Sequence, residues 1–287
     1  MHALLILGRD GQVGSALAAL DWPGFKVTAL GRAQADLTTE AAAQAIARLR
    51  PALVINAAAW TDVEGAQRDP AGAHAVNAQG AERLAQACLA AGAWLVHYST
   101  DYVFDGAKLG AYTEADAPAP LNVYGASKLA GERAIAASGC RHLILRTGWV
   151  YSREGGNFFN KILARARGGT VLSVVDDQFG APTWAHALAL ATRQAAVSLL
   201  RADNQLAGGL YHLSAAGRCS WYEAAQAVLA ISGLGVPVSP VSSAAYAAAA
   251  PRPRNSQLDS SRFTADFGYR IGNWEEDLRR CFGATVA

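Results

Sequence analysis

The chain has 287 residues, 52% of them apolar and 17% charged, with a formal net charge of +2. That suits one large α/β domain, or a large domain with a smaller lobe, and excludes a globally disordered chain. The near-neutral charge without a long basic run argues against nucleic acid and anionic membrane as partners, and the four cysteines, with no C-x-x-C pair, fit reduced thiols in a cytoplasmic protein better than zinc or disulfides.

The apolar opening, residues 1–7, is too short to span a membrane and runs straight into Gly8-Arg9-Asp10, so it is predicted as a buried strand and not a signal peptide. Further apolar runs at 25–30, 52–56, 94–99 and 142–146 predict four more buried strands. Ala- and Leu-rich stretches at 39–50, 71–91 and 124–137 have helical spacing. Strands alternating with helices predict a Rossmann-type α/β fold, a doubly wound parallel sheet covered on both faces. Ligands of such sheets bind beyond the carboxyl ends of the strands. After about Thr147 the pattern loosens. A helix at 158–167, strands at 170–175 and 210–213, a helix at 221–232 and an irregular connection at 244–253 are expected there. The division is therefore a dinucleotide-binding domain over 1–150 and a smaller, mainly substrate-binding lobe over 151–287, with some segments returning to the first domain.

Gly8, Gly11 and Gly14 follow the first strand and open a helix near Gln12. Glycines there let the backbone turn sharply, approach a pyrophosphate and pack helix on strand, while the helix N-terminus favours negative charge. The alternative is a strand-to-helix turn with no ligand. The acidic residue expected about 20 residues on, at the end of the second strand, is replaced by Gly31-Arg32. Arg32 either accepts a 2′-phosphate, favouring NADPH with NADH also possible, or is a solvated surface side chain. Asp36 and Leu37 are placed to touch an adenine, and Asp36 is equally able to cap the following helix. Ala57, Ala58 and Ala59, after the third strand, offer small residues against which a cofactor could lie flat.

Tyr124 and Lys128 stand four residues apart on a helical segment, so phenol and ammonium share a face. A free tyrosine, with a pKa of about 10, is a poor acid near neutrality, and an adjacent ammonium is expected to lower it. Lys128 could also hold the nicotinamide ribose. Ser99 or Thr100, at the end of the fourth strand, could bond a substrate carbonyl beside the phenol. Glycine turn, strand-end hydroxyls and Tyr/Lys helix occur in the order that a nicotinamide-dependent oxidoreductase needs.

Seven stretches carry a resemblance over nearly the whole chain: Gly8-Arg-Asp-Gly-Gln-Val-Gly14, Val54-Ile-Asn-Ala-Ala-Ala59, Val96-His-Tyr-Ser-Thr-Asp-Tyr-Val-Phe-Asp-Gly106, Pro120-Leu-Asn-Val-Tyr-Gly-Ala-Ser-Lys-Leu-Ala-Gly-Glu132, Arg146-Thr-Gly-Trp-Val-Tyr151, Asp177-Gln-Phe-Gly-Ala-Pro-Thr183 and Arg252-Pro-Arg-Asn-Ser-Gln-Leu258. The set resembles the extended short-chain dehydrogenases/reductases, and within them the dTDP-4-dehydrorhamnose reductase family. The resemblance implies reduction of the C4 ketone of a dTDP-linked 4-keto-6-deoxy sugar, dTDP-4-dehydro-L-rhamnose, by NADPH or NADH. It implies Tyr124 as proton donor, Thr100 holding the oxygen, and Lys128 supporting cofactor and phenol. Asp10, Gly11, Gln12, Val13, Asp36, Leu37, Ala59 and Thr61 would line the cofactor. Thr100, Asp101, Tyr102, Tyr124 and Trp149 would contact the substrate, with a packing role the other reading of Trp149. Arg252 and Asn255 would approach the substrate, or serve as structural hydrogen-bonding groups.

Departures also inform. Some relatives use glutamates in a magnesium-linked dimer, one just past the glycine turn, where this chain has Ser15-Ala16; Thr183-Trp-Ala-His186 lacks one too. No metal is expected, and the choice between monomer and homodimer stays open. Two rival readings are an epimerase or dehydratase that retains its cofactor and a non-catalytic regulatory relative. Tyr102 stands after Asp101 where a dehydratase would carry glutamate, and the intact Thr100, Tyr124 and Lys128 set disfavours the regulatory reading.

Overall fold

A computed structural model describes residues 1–201, 206 and 208–283 of the chain; the rest of the 151–287 lobe lies outside the described residues. Its centre is a six-stranded sheet. The first five strands are β1 (His2–Leu7), β2 (Phe25–Leu30), β3 (Leu53–Asn56), β4 (Trp94–Thr100) and β5 (His142–Thr147). All pair in parallel in the order β2-β1-β3-β4-β5, and a sixth strand, Gly209–His212, adds in parallel beside β5. The fold class expected from the strand–helix alternation is the one observed.

Both sheet faces are covered because side chains alternate along each strand. Leu4 and Ile6 of β1 point to one layer, which includes Leu17 of α1 (Gln12–Ala19), whereas Leu5 and Leu7 point to the other. That second layer is built by α2 (Ala41–Leu49) and by the helices after β3. Every residue of β3 and β4 is buried, as in a sheet packed on both sides.

After β3 come α3 (Val63–Arg68), α4 (Pro70–His74), a π-helical turn (Ala75–Gln79) and α5 (Gly80–Ala91). The single helix expected over 71–91 is thus three pieces. Asp69 caps α4 by accepting from the Gly72 N–H, and the π turn directs Asn77 inward to a buried position. α6 (Val123–Ala137) begins after Asn122, whose side chain accepts from Gly125 N–H.

Beyond β5 the chain forms short paired strands, Val150–Tyr151 with Thr183–Trp184, Leu172–Val175 with Val238–Val241, and Phe179–Gly180 with Cys219–Ser220. The accompanying helices are α7 (Phe158–Arg167), α8 (Ala185–Leu199), α9 (Trp221–Ile231), α10 (Ser243–Tyr246), α11 (Ser261–Phe267) and α12 (Trp274–Phe282). α10 overlaps the start of the stretch expected to be irregular, and is opened by Ser242 accepting from Ala245 N–H. α8 packs on α1 and Gly209–His212 joins the main sheet, so this half of the chain contributes to both layers. Among the described residues no helix is long and apolar enough to cross a membrane.

The chain steps from β1 to β2 on one side and then returns past β1 to β3 on the other. The connections leave in opposite directions there, opening a crevice at the carboxyl ends of β1 and β3.

Candidate active site

At that crevice Gly8 has φ +79°, a backbone region open to glycine, and a Cβ on it would lie 2.5 Å from the Ala58 nitrogen. A Cβ on Gly14 would lie 2.0 Å from the Gly8 carbonyl oxygen, so Gly14 serves helix–strand packing and does not face the crevice. α1 starts at Gln12 behind Gly11 with no side-chain cap and no acidic residue in its first turn. Its N-terminal dipole is thus left for an anion.

Two cavities share Asp10, Gly11, Ala57, Ala59 and Thr61 as a common wall. One, of about 460 Å3, is also lined by Gly8, Arg32, Asp36, Leu37 and Ala58. The other, of about 590 Å3, is lined by Gln12, Val13, Thr100, Asp101, Tyr102, Tyr124, Lys128 and Trp149. Gln12 also binds the lobe: its Nε2 donates to Val150 O at 3.3 Å, and its Oε1 accepts from Ser152 Oγ at 2.8 Å and Asn157 Nδ2 at 2.9 Å.

Arg32 lines the first cavity with a largely exposed side chain, and its Nε donates to Asp36 Oδ2 at 3.1 Å. Asp36 Oδ1 accepts from the Thr38 N–H at 2.8 Å and the Thr38 hydroxyl at 2.7 Å. These Thr38 bonds, followed by Arg32, lower its carboxyl to about 2. Asp36 is therefore both a turn former and the partner of Arg32.

In the second cavity the Tyr124 phenol pairs with the Thr100 hydroxyl. Thr100 Oγ1 also accepts from Tyr102 N–H and donates to Asp101 Oδ1, each at 3.1 Å. Burial pushes the Tyr124 phenol up to about 12; the Thr100 bond opposes this and the Asp101 charge adds to it. The sequence expectation that Lys128 lowers the phenol is corrected here. Lys128 is itself buried, and its Nζ donates to Tyr98 O at 2.6 Å and lies 3.1 Å from His97 Nε2. Burial brings the Lys128 amine down to about 8, against the raising effect of Glu132. Desolvation thus outweighs the charge effect that the four-residue spacing suggests.

Asp101 is buried, which raises its carboxyl to about 6 despite bonds from Ser256 and Thr100. A Cβ on Gly148 would lie 2.5 Å from that carboxylate, so glycine there makes room for Asp101. Trp149 follows with φ +53°, a strained region for a bulky residue. Its ring stacks on Trp221, the first residue of α9, at 3.4 Å between centroids and 4° between planes. A Cβ on Gly180 would lie 2.6 Å from the Trp149 ring, so glycine there makes room for it.

For Asn255 and Arg252 the contacts favour the structural role that was left open beside a substrate contact. Asn255 does not line either cavity: its Nδ2 donates to Lys108 O at 2.8 Å and Gly110 O at 2.9 Å, which makes it a structural brace. Arg252 pairs with Glu64 of α3 at 2.9 Å and hydrogen-bonds Tyr102, so it reaches the site through Tyr102.

Sequence reading missed Asn77, His97, Asn157, Glu64 and Trp221. Asn77 accepts from Trp60 N–H at 2.9 Å and donates to Trp60 O and Ser127 Oγ, both at 3.0 Å, fastening the β3 loop to α6. A signal existed for Trp221. Ser220 and Glu223 have the S-x-x-E spacing of a capping box, which the structure forms, and it sets Trp221 at a helix start.

The family profile described as the RmlD substrate binding domain matches residues 1–286. The chain belongs to this family, that of the dTDP-4-dehydrorhamnose reductases. It is 40% identical to the dTDP-4-dehydrorhamnose reductase of Sinorhizobium fredii, covering 99% of this chain and 97% of that protein. To the Escherichia coli K12 enzyme of the same name it is 39% identical, with 96% of each covered. A crystal structure of the Bacillus anthracis reductase in complex with NADP superposes with a TM-score of 0.92 at 34% identity, covering 98% of both chains. A Thermotoga maritima UDP-glucose 4-epimerase with UDP-glucose, 18% identical over 98% of this chain and 97% of that one, has a TM-score of 0.83 and shares the fold.

Proposed function

We propose that this member of the family reduces the C4 ketone of a dTDP-linked 4-keto-6-deoxy sugar, dTDP-4-dehydro-L-rhamnose, to the alcohol of dTDP-L-rhamnose. The observation that carries this reading is the convergence of Thr100, Tyr124 and Lys128 in a cavity that shares its wall with the glycine-turn crevice. NADPH, with NADH as an alternative, supplies the hydride when bound. The residues fit such a cofactor: the uncapped start of α1 behind Gly11 suits a pyrophosphate, and Arg32 suits a 2′-phosphate.

Thr100 orients the substrate oxygen through its hydroxyl, and Tyr124 gives its phenolic proton to that oxygen as it becomes an alkoxide. A phenol held near 12 keeps its proton at neutral pH until so strong a base forms beside it. Asp101 helps hold it there. Lys128 supports the cofactor ribose, and Trp149, its ring stacked on Trp221, lines the sugar side of the cavity. Residues 1–150 supply the cofactor side and most of 151–287 the substrate side. The enzyme works in the cytoplasm, where its buried free cysteines stay reduced, as a monomer or homodimer.

A panel of dTDP- and UDP-linked 4-keto sugars, assayed by NADPH oxidation, tests the substrate. The dTDP-linked 6-deoxy-4-ketose should give the highest kcat/KM. Equal rates with UDP-linked sugars would remove the thymidine from the reading.

A further inference from the structure

Glu64, the second residue of α3, takes no part in the scheme above, yet it follows residues at the meeting of the two cavities: Asp62 lines the first and Val63 the second. Its carboxylate is committed to a segment that arrives from far along the chain. Oε1 accepts from Arg252 Nη2 at 2.9 Å and Oε2 from the Ala250 N–H at 3.2 Å. Asn122 holds the same segment. Its Nδ2 donates to Pro251 O at 2.8 Å, while its Oδ1 caps α6 by accepting from Gly125 N–H, also at 2.8 Å. Asn122 and Ala250 are buried, so residues 250–252 are fastened to the start of the helix that carries Tyr124 and Lys128. The side chains of Glu64 and Arg252 are only 29% and 22% exposed, which makes the pair stronger than an open surface contact.

What this segment presents to the site is a guanidinium. Arg252 Nη1 donates to Ala250 O at 3.3 Å, Nη2 donates to Glu64, and the group hydrogen-bonds the Tyr102 hydroxyl. A guanidinium has donors and no acceptor. It therefore occupies a lone pair of the Tyr102 oxygen, and the phenolic hydrogen has to point elsewhere. Burial and the Asp101 charge raise the phenol against the opposing effect of Arg252, so that hydrogen stays in place. Tyr102 lines the second cavity, and its ring meets that of Tyr124 edge-on with 6.0 Å between centroids. The backbone of Tyr102 is pinned as well, its N–H donating to Thr100 Oγ1 at 3.1 Å. The open direction for the hydrogen is the cavity.

We propose that Glu64 and Arg252 are positioning residues that aim the Tyr102 hydroxyl, as a hydrogen-bond donor, at a hydroxyl oxygen of the substrate's sugar. The proposal rests on the reading of Thr100, Tyr124 and Lys128 as the reducing centre, because Tyr124 fixes where the ketone lies and Tyr102 is its aromatic neighbour. Arg252 then serves recognition of the sugar without touching it. Glu64 anchors the guanidinium fork, and without that anchor the phenol is free to turn its hydrogen away from the sugar.

The test is a double-mutant cycle read by calorimetry on the full-length chain saturated with NADP+, with dTDP-L-rhamnose and dTDP as ligands. The first carries the sugar and the second does not. Tyr102→Phe should weaken dTDP-L-rhamnose about 3- to 10-fold, the loss of one hydrogen bond, and leave dTDP unchanged. Glu64→Ala and Arg252→Ala should each weaken dTDP-L-rhamnose about 2- to 5-fold, with dTDP again unchanged. In the Tyr102→Phe background either should add no further loss, since the hydroxyl through which they act is gone. Additive losses would make Glu64 and Arg252 structural props and overturn the proposal. A matching loss of dTDP affinity would also overturn it, by placing Tyr102 on the diphosphate. Glu64→Gln and Arg252→Lys should fall between wild type and the alanine variants, so the cycle is read on them if an alanine variant does not fold. A wild-type chain that reduces dTDP-4-dehydro-L-rhamnose while Tyr102→Phe binds the product normally loses this inference alone. A wild type that neither reduces the ketone nor binds the product loses the proposed function and this inference with it.

Discussion

Tyr124 and Asp101 show how burial, more than spacing, sets the chemistry of single residues here. Tyr124→Phe removes the proton donor and leaves the crevice intact, so kcat should fall by about 10²–10⁴ while NADPH affinity by fluorescence titration stays near wild type. Near-normal turnover would make Tyr102, 6.0 Å from Tyr124 between ring centroids, the first suspect for the proton. Asp101 has a carboxyl raised in the fold to about 6 from the ordinary 3.8, so ionising it costs the folded state. The cost is absent below the unfolded value, grows as pH rises through 6 and is complete above it. Asp101→Asn escapes it. The variant should melt higher than wild type at pH 8, by on the order of 1–3 kcal/mol of stability, lose that advantage below about pH 4, and be a poorer enzyme. An equal Tm difference at both pH values would contradict the assignment. Arg32 is shared between Asp36 and any 2′-phosphate. Arg32→Ala should lower the NADPH/NADH ratio of kcat/KM several-fold, to about the extent that one exposed charge contact permits, and Asp36→Asn should raise it. An unchanged ratio in both would take Arg32 out of the site. Tyr124, Lys128 and Thr100 were legible in the sequence because their significance lies in local spacing. His97 and Asn77 were not, since their partners come from other strands and helices.

Among the elements, the bounds of the five strands of the first half were readable almost to the residue, and β1, β3, β4 and β5 are the buried apolar runs expected. β2, at the sheet edge with Lys26 and Thr28 in it, is not buried as expected. α8 was not picked out. Its less buried residues, among them His186, Leu190, Arg193, Gln194 and Val197, do recur at helical spacing, a stripe the chain-order reading passed over. The break in 71–91 depends on the inward turn of Asn77, which a helical pattern hides. The stack of Trp149 on Trp221 joins the loop after β5 to α9, and aromatic pairs of this kind contribute about 0.5–1.5 kcal/mol beyond area. Trp221→Ala should therefore raise KM for the sugar nucleotide about 2- to 10-fold and leave KM for NADPH unchanged. A rise in both would place Trp221 on the cofactor side instead.

At the scale of the whole molecule, the cofactor crevice follows from strand order alone, whereas the substrate side needs contacts made far along the chain. Gln12 reaches Val150, Ser152 and Asn157, and Glu64 of α3 holds Arg252, which in turn bonds Tyr102. Local patterns carry no trace of such pairings, which is why the sequence left Asn255 open between substrate contact and structural brace, and its bonds to Lys108 O and Gly110 O favour the brace. The same frame serves reductases and epimerases, so architecture by itself does not decide whether the hydride leaves the protein with the sugar. The most direct test is NADPH deuterated at C4 of the nicotinamide, supplied with dTDP-4-dehydro-L-rhamnose. The account predicts one NADPH oxidised per sugar and deuterium at C4 of the product. Sugar converted with no net NADPH oxidation, or product without the label, would contradict it.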